Sequence, residues 1–185
     1  MPLLGAEPIA FPPTLFSDPD GDRRWWVFQT RPRAEKAFAR ALMKANTAYF
    51  LPQFTQTWRK NGRRFESRLP LFPGYVFAAG DEAARLAAFG TNLVVRDVPA
   101  HDQEKLAAEL RAINRLMGGG AGLQPEQGLQ TGARVLVVEG PYAGVEGRVV
   151  EAGGEVRVCV EISLLGRGVS VRVDRWMLKP LELAV

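Results

Sequence analysis

One histidine and one cysteine occur in the 185-residue chain, so nucleophilic or metal chemistry would have to begin with them. His101 lies between Pro99 and the start of a helical pattern, in a stretch read as loop. No serine, cysteine or second ligand accompanies it there, and a surface or capping role outweighs catalysis. Cys159 stands inside the apolar, strand-like run around Val158 and Val160. That setting predicts a buried core thiol in a reducing compartment, and a lone cysteine forms no disulfide within the chain. No cysteine–histidine cluster has the spacing of a metal site. Gly140, Gly144 and Gly147 invite a phosphate-loop reading. They lack the Gly-Lys-Ser/Thr ending, however, and lead into a strand instead of a helix whose amides could hold phosphate. The expectation is no active site, no cofactor and no metal: a protein that acts by binding and is not an enzyme.

Charge says what it would bind. The formal net charge is only +4, but twelve cations against Glu35 and Glu66 give +10 over the 46 residues from Arg23 to Arg68. The rest of the chain therefore carries −6. Such asymmetry points to a polyanionic partner for the early part of the chain. Arg31, Arg33, Lys36, Arg40 and Lys44 fall on or beside one helical stripe, and Arg59, Lys60, Arg63 and Arg64 flank a turn. These nine are the candidate nucleic-acid contacts. No run approaches the roughly 18 apolar residues that span a bilayer, and the first sixteen residues lack the basic start and apolar stretch of a signal peptide. A cytoplasmic monomer without a membrane partner is expected.

The elements that must position these residues follow from period and punctuation. Residues 1–22 hold five prolines and no clean period, and read as an irregular tail. Trp25 to Thr30 is an aromatic, β-branched strand. Pro32 suits a helix start, and from Arg33 to Ala45 the period is helical, with Ala34, Ala37, Phe38, Ala41 and Leu42 on one side. Tyr49 to Thr57 reads as strand bent at Pro52. Asn61-Gly62 then signals a type I′ hairpin turn, which sets Lys60 opposite Arg63 and Arg59 opposite Arg64. A strand at Tyr75–Ala79, a helix at Asp81–Phe89, a strand at Asn92–Val98 and a helix at Asp102–Met117 complete a domain at 23–117. The order predicts an α+β sandwich of ferredoxin-like type. Glycine-rich 118–131 reads as a flexible linker of about 20 Å root-mean-square span. Residues 132–185 hold five short β-branched runs separated by glycines, which predicts a small closed barrel.

Two stretches together resemble the NusG family of transcription factors. Arg24-Trp25-Trp26-Val27-Phe28-Gln29 is similar to that family's opening strand, and Leu71-Phe72-Pro73-Gly74-Tyr75-Val76-Phe77 to its most recognisable segment. In the second half, Gly132-Ala133-Arg134-Val135-Leu136-Val137-Val138-Glu139-Gly140-Pro141-Tyr142-Ala143-Gly144-Val145-Glu146-Gly147 resembles the KOW motif, and Leu164-Leu165-Gly166-Arg167 the tip that follows it. The resemblance implies an NGN domain joined by a linker to an SH3-like KOW barrel. It implies an NGN domain bound to the RNA polymerase clamp and bridging the DNA cleft, which raises processivity or brings about antitermination. Trp25, Phe72, Tyr75 and Phe77 match the clamp-contacting positions, expected as an exposed apolar patch. Leu164, Leu165 and Arg167 match the surface that recruits a partner, ribosomal protein S10 or Rho. The Pro-Leu-Phe-Pro run and the basic hairpin are closer to the specialised paralogues typified by RfaH, which touch non-template DNA, than to housekeeping NusG. The pattern departs at Leu86-Ala87-Ala88-Phe89, where RfaH has His-Thr-Thr-Thr, so a gate-loop contact is absent here or made differently. A ribosome-associated, RNA-binding KOW protein is the alternative from another class.

Overall fold

The computed structural model describes residues 7–17, 23–120, 122–127 and 132–181. Parts of the expected tail (1–6, 18–22), of the linker (121, 128–131) and of the second domain (182–185) lie outside the described residues. The chain divides into two compact units between Gln103 and Glu104.

The first unit is built on a five-stranded antiparallel sheet. Its strands are β1 (Ala10–Phe11), β2 (Arg24–Thr30), β3 (Ala48–Phe50), β6 (Tyr75–Gly80) and β7 (Val94–Val98), in the order β1-β3-β6-β2-β7. Helix α1 (Glu35–Lys44) carries the chain from β2 past β6 to β3, and α2 (Glu82–Gly90) carries it from β6 past β2 to β7. Two interleaved β-α-β crossovers of this kind are the ferredoxin-like arrangement.

Alternation along β2 divides the side chains between two faces. Trp26 and Phe28 join Phe38, Ala39 and Leu42 of α1, Ala88 of α2, and Tyr49, Leu51, Val76 and Ala78 in one core. Each fully buried Phe or Leu there contributes about 1.5–3 kcal/mol. Trp25 and Val27 face the other way, with Phe50 and Phe77 on neighbouring strands.

Helix α1 starts two residues later than its apolar period suggests. Arg33 has φ +62, and the Ala34 amide donates to Arg31 O at 3.1 Å, so Pro32 and Arg33 form a turn ahead of the helix. Asp81 caps α2 through its carboxylate, which accepts from the Ala84 amide at 2.9 Å. Pro52 separates β3 from β4 (Gln53–Lys60), as a residue without an N–H should. β4 pairs only with β5 (Arg63–Pro70), forming a two-stranded ribbon closed at its base where the Leu71 amide meets Pro52 O at 2.8 Å.

The second unit is one antiparallel sheet of six strands in the order β13-β9-β10-β11-β12-β8. In chain order these are β8 (Gln124–Gln127), β9 (Arg134–Val137), β10 (Glu146–Ala152), β11 (Glu155–Ile162), β12 (Arg167–Arg172) and β13 (Leu178–Pro180). Val135, Val137, Val158, Val160, Ile162, Val169 and Val171 are buried in it. Gly153 and Gly154, at φ +60 and +81, make the tight β10–β11 turn. β8 corrects the linker reading, because residues that lack any period of their own are ordered by pairing with β12. Helix α3 (Gln103–Gly118) belongs with this unit from Glu104 onward. Glu109 accepts from the Ser163 hydroxyl at 2.5 Å and from its amide at 3.2 Å, and Arg115 donates to Gly144 O at 3.1 Å. The division therefore falls earlier than the glycine-rich stretch suggests.

Candidate functional site

The rings expected as an exposed patch are buried. Trp25 is 9% exposed, Phe72 1% and Phe77 0%, while Tyr75 is half-buried. The turn that carries Phe72 into Tyr75 is held from α1: the Gly74 amide donates to Glu35 Oε1 at 2.7 Å, and Gly74 O accepts from Thr30 N at 2.9 Å. Gly74 has φ +86, a conformation that side-chain-bearing residues resist. Tyr75 N–H closes the turn onto Phe72 O at 3.0 Å. Phe72 then meets Phe77 edge-on at 5.7 Å, and Phe77 lies 6.4 Å from Phe50.

Part of the cover is the chain's own beginning. Phe16 stacks on Trp25 at 5.9 Å and 17°, and meets Phe50 edge-on at 4.8 Å. Leu15 beside it is 6% exposed. The segment reaches this face by wrapping the sheet edge. Glu7 pairs with Arg40 on α1, and Tyr49 Oη donates to Pro8 O at 3.0 Å. The Leu51 amide donates to Ile9 O at 2.7 Å, and β1 pairs with β3 through Ala10 with Phe50 and Phe11 with Tyr49. Residues 7–17 are thus a clasp, which corrects the reading of an irregular tail there. Their prolines suppressed any local period, and the strand they pair with, β3, lies more than thirty residues away in sequence.

The cations divide into three groups. On α1, Lys36, Arg40 and Lys44 recur every fourth residue, but Arg40 is neutralised by Glu7 and Lys36 is half-buried. Arg31 and Arg33 are exposed in the turn before the helix, so Arg33 leaves the helical stripe to which the period assigns it. Arg59, Lys60, Arg63 and Arg64 are exposed at the ribbon's tip, in the expected register of Lys60 opposite Arg63 and Arg59 opposite Arg64. The turn has φ +51 at Asn61 and +74 at Gly62, as a type I′ turn requires. Trp58 and Phe65, the next cross-strand pair on the same face as Lys60 and Arg63, are also exposed. Sequence reasoning did not single them out, although equal distance from Asn61-Gly62 was signal enough.

In the second unit, Ser163–Leu165 form one 3-10 turn ended by Gly166 at φ +59. Leu164 is exposed there, while Leu165 and Arg167 are half-buried. Glu109 anchors this tip through Ser163. Burial raises its carboxyl pKa, and the Ser163 bonds oppose the shift.

His101 is exposed. Among the described residues no group of three His, Cys, Asp or Glu side chains is placed to hold a metal. The arrangement is an α/β unit with an aromatic face and a basic ribbon, followed by an antiparallel β unit with an apolar tip, and what it offers is surface for contact. Residues 23–125, more than half of the chain, match the family model described as transcription termination factor NusG. The chain belongs to the NusG family. It is similar to the transcription termination/antitermination protein NusG of Vibrio vulnificus (strain CMCP6), at 28% identity over 180 residues, which cover 86% of this chain and 97% of that protein. No helix is long and apolar enough to cross a membrane among the described residues.

Proposed function

We propose that the chain is a transcription elongation and antitermination factor whose first unit, an NGN domain, docks on the RNA polymerase clamp through the face of Trp25, Phe72, Tyr75 and Phe77. Binding that favours the closed clamp bridges the DNA cleft and disfavours the open, paused enzyme. Arg31, Arg33, Lys36, Lys44 and the ribbon cations face upstream or non-template DNA, where phosphate neutralisation gives salt-dependent affinity. The second unit is read as an SH3-like KOW barrel whose Leu164, Leu165 and Arg167 recruit a partner, with ribosomal protein S10 and Rho as candidates. Family membership over 23–125 carries the reading.

Burial of the rings adds a condition: Trp25 becomes available to a partner once Phe16 is displaced from it. Phe16 occupies the ground a partner's apolar side chain would take, stacked on Trp25 and edge-on to Phe50. Aromatic anchors of this kind commonly dominate interface energy.

Core polymerase pull-down by the full chain tests this. Tyr75→Ala, at a half-buried position, should cut capture at least tenfold with the circular dichroism spectrum unchanged. Phe16→Ala should increase capture by thinning the cover. Undiminished capture by Tyr75→Ala would remove the assigned face. Phe72→Ala is a poor probe, because emptying so enclosed a site costs about 3–5 kcal/mol of stability.

A further inference from the structure

The β4–β5 ribbon carries a feature that clamp docking does not use. Trp58 and Phe65 lie directly opposite each other across its two strands, stacked at 5.8 Å and 17°. They are 44% and 41% exposed, on a ribbon that pairs with no other strand among the described residues. We propose that this ring pair is a stacking platform for an unpaired base of single-stranded nucleic acid, with Lys60 and Arg63 gripping the adjoining phosphates. The proposal rests on the reading above that the ribbon meets nucleic acid.

Register places the parts together. Directly opposed residues share a face, so the Trp58–Phe65 pair is followed toward the tip, on the same face, by Lys60 and Arg63. Two residues along a strand advance about 7 Å, which leaves room for a base on the rings and its phosphate at the cations. The Asn61-Gly62 turn locks that register, and a one-residue slip would send the rings to opposite faces.

Charge chooses the occupant. The ribbon carries Arg59, Lys60, Arg63, Arg64 and Arg68 against Glu66, and Glu66 is engaged by Arg64 at 2.6 Å. Like charges opposed at Lys60–Arg63 and Arg59–Arg64 oppose folding of the tip and are relieved by a polyanion. A duplex offers phosphates and base edges but keeps its ring faces stacked inside. An unpaired base has a free π face for the indole and phenyl rings, and such stacking is tolerant of sequence.

The test measures fluorescence anisotropy of the full chain with a labelled twelve-nucleotide DNA strand, an RNA strand of the same sequence, and the corresponding DNA duplex. The DNA and RNA arms decide which strand the platform prefers. Trp58→Ala with Phe65→Ala should weaken single-strand binding about tenfold to hundredfold, leaving duplex affinity and the salt slope unchanged. Trp58→Phe with Phe65→Tyr, which keeps both rings, should restore binding and guards against a folding artefact. Lys60→Gln with Arg63→Gln should instead lower the salt slope by roughly 1.4, or about 0.7 per phosphate. Equal loss on strand and duplex, or no loss from the ring-deleted chain, would overturn the platform. So would loss of nuclease-treated polymerase capture by the ring-deleted chain, which would make the ribbon a protein contact. Failure of the unaltered chain to capture polymerase while it still binds the strand would overturn the clamp reading and leave the platform standing.

Discussion

Cys159 sits in β11 at 1% exposure, with a neighbour so close that a Cβ built on Gly168 would come within 2.8 Å of its sulfur. Burial first, then the charges of Glu161 and Glu126, push its thiol from 9.0 to about 12. The sign follows directly. Between those values the unfolded thiol has lost its proton while the folded one keeps it, so unfolding releases a proton and stability falls as pH rises. Thermal unfolding should be insensitive to this group below pH 9 and should decline with pH above it. Cys159→Ala should flatten that decline, whatever it costs at neutral pH, and an equal decline in both proteins would assign the titration elsewhere. The apolar run around Cys159 made its burial legible. Arg157, two residues earlier, was not: it is 5% exposed, donating to Ser170 Oγ at 2.8 Å and Gly122 O at 3.0 Å. Its partners come from distant parts of the chain that no local pattern connects.

At the scale of elements, α1 positions the aromatic turn by one carboxylate. Glu35 is buried in the first helical turn, where an acid suits the dipole, and it accepts from Gly74 N–H. Removing that acceptor leaves a backbone donor unpaired, so Glu35→Ala should lower the unfolding free energy by about 1–3 kcal/mol in urea titration. Glu35→Gln, which keeps an oxygen there, should recover part of it. No loss from Glu35→Ala would mean that the turn holds its shape unaided. Much of the first unit was legible because its elements carry their own composition, period or punctuation: the aromatic, β-branched run of β2, the i, i+4 stripe of α1, Asp81 before α2, and Asn61-Gly62 in the ribbon. The clasp, β8 and the start of α1 were not. Residues 7–17 and 124–127 acquire their structure from strands far off in sequence, and the turn at Pro32–Arg33 overrides a helical period that begins two residues too soon. The candidate rings were found by type, but their burial depends on what lies across the sheet.

Taken whole, the molecule joins an α/β unit and an antiparallel β unit, each with its own apolar core. The excess of positive charge lies between Arg23 and Arg68, within the first unit. Clamp docking therefore asks the first unit to present rings to a protein on one face of its sheet and cations to DNA from the ribbon and from α1, which packs on the other face. Phe16 of the Glu7–Ser17 clasp lies over Trp25. Photo-crosslinking locates that contact most directly. A benzophenone side chain placed at Tyr75, and separately at exposed Met43 at the far end of α1, is irradiated with polymerase and the crosslinked subunit identified. The expected result is a crosslink to the clamp-bearing subunit from position 75, none from 43, and a higher yield from position 75 when Phe16→Ala is added. Crosslinks from 43 but not from 75, with or without Phe16, would contradict docking through the aromatic face.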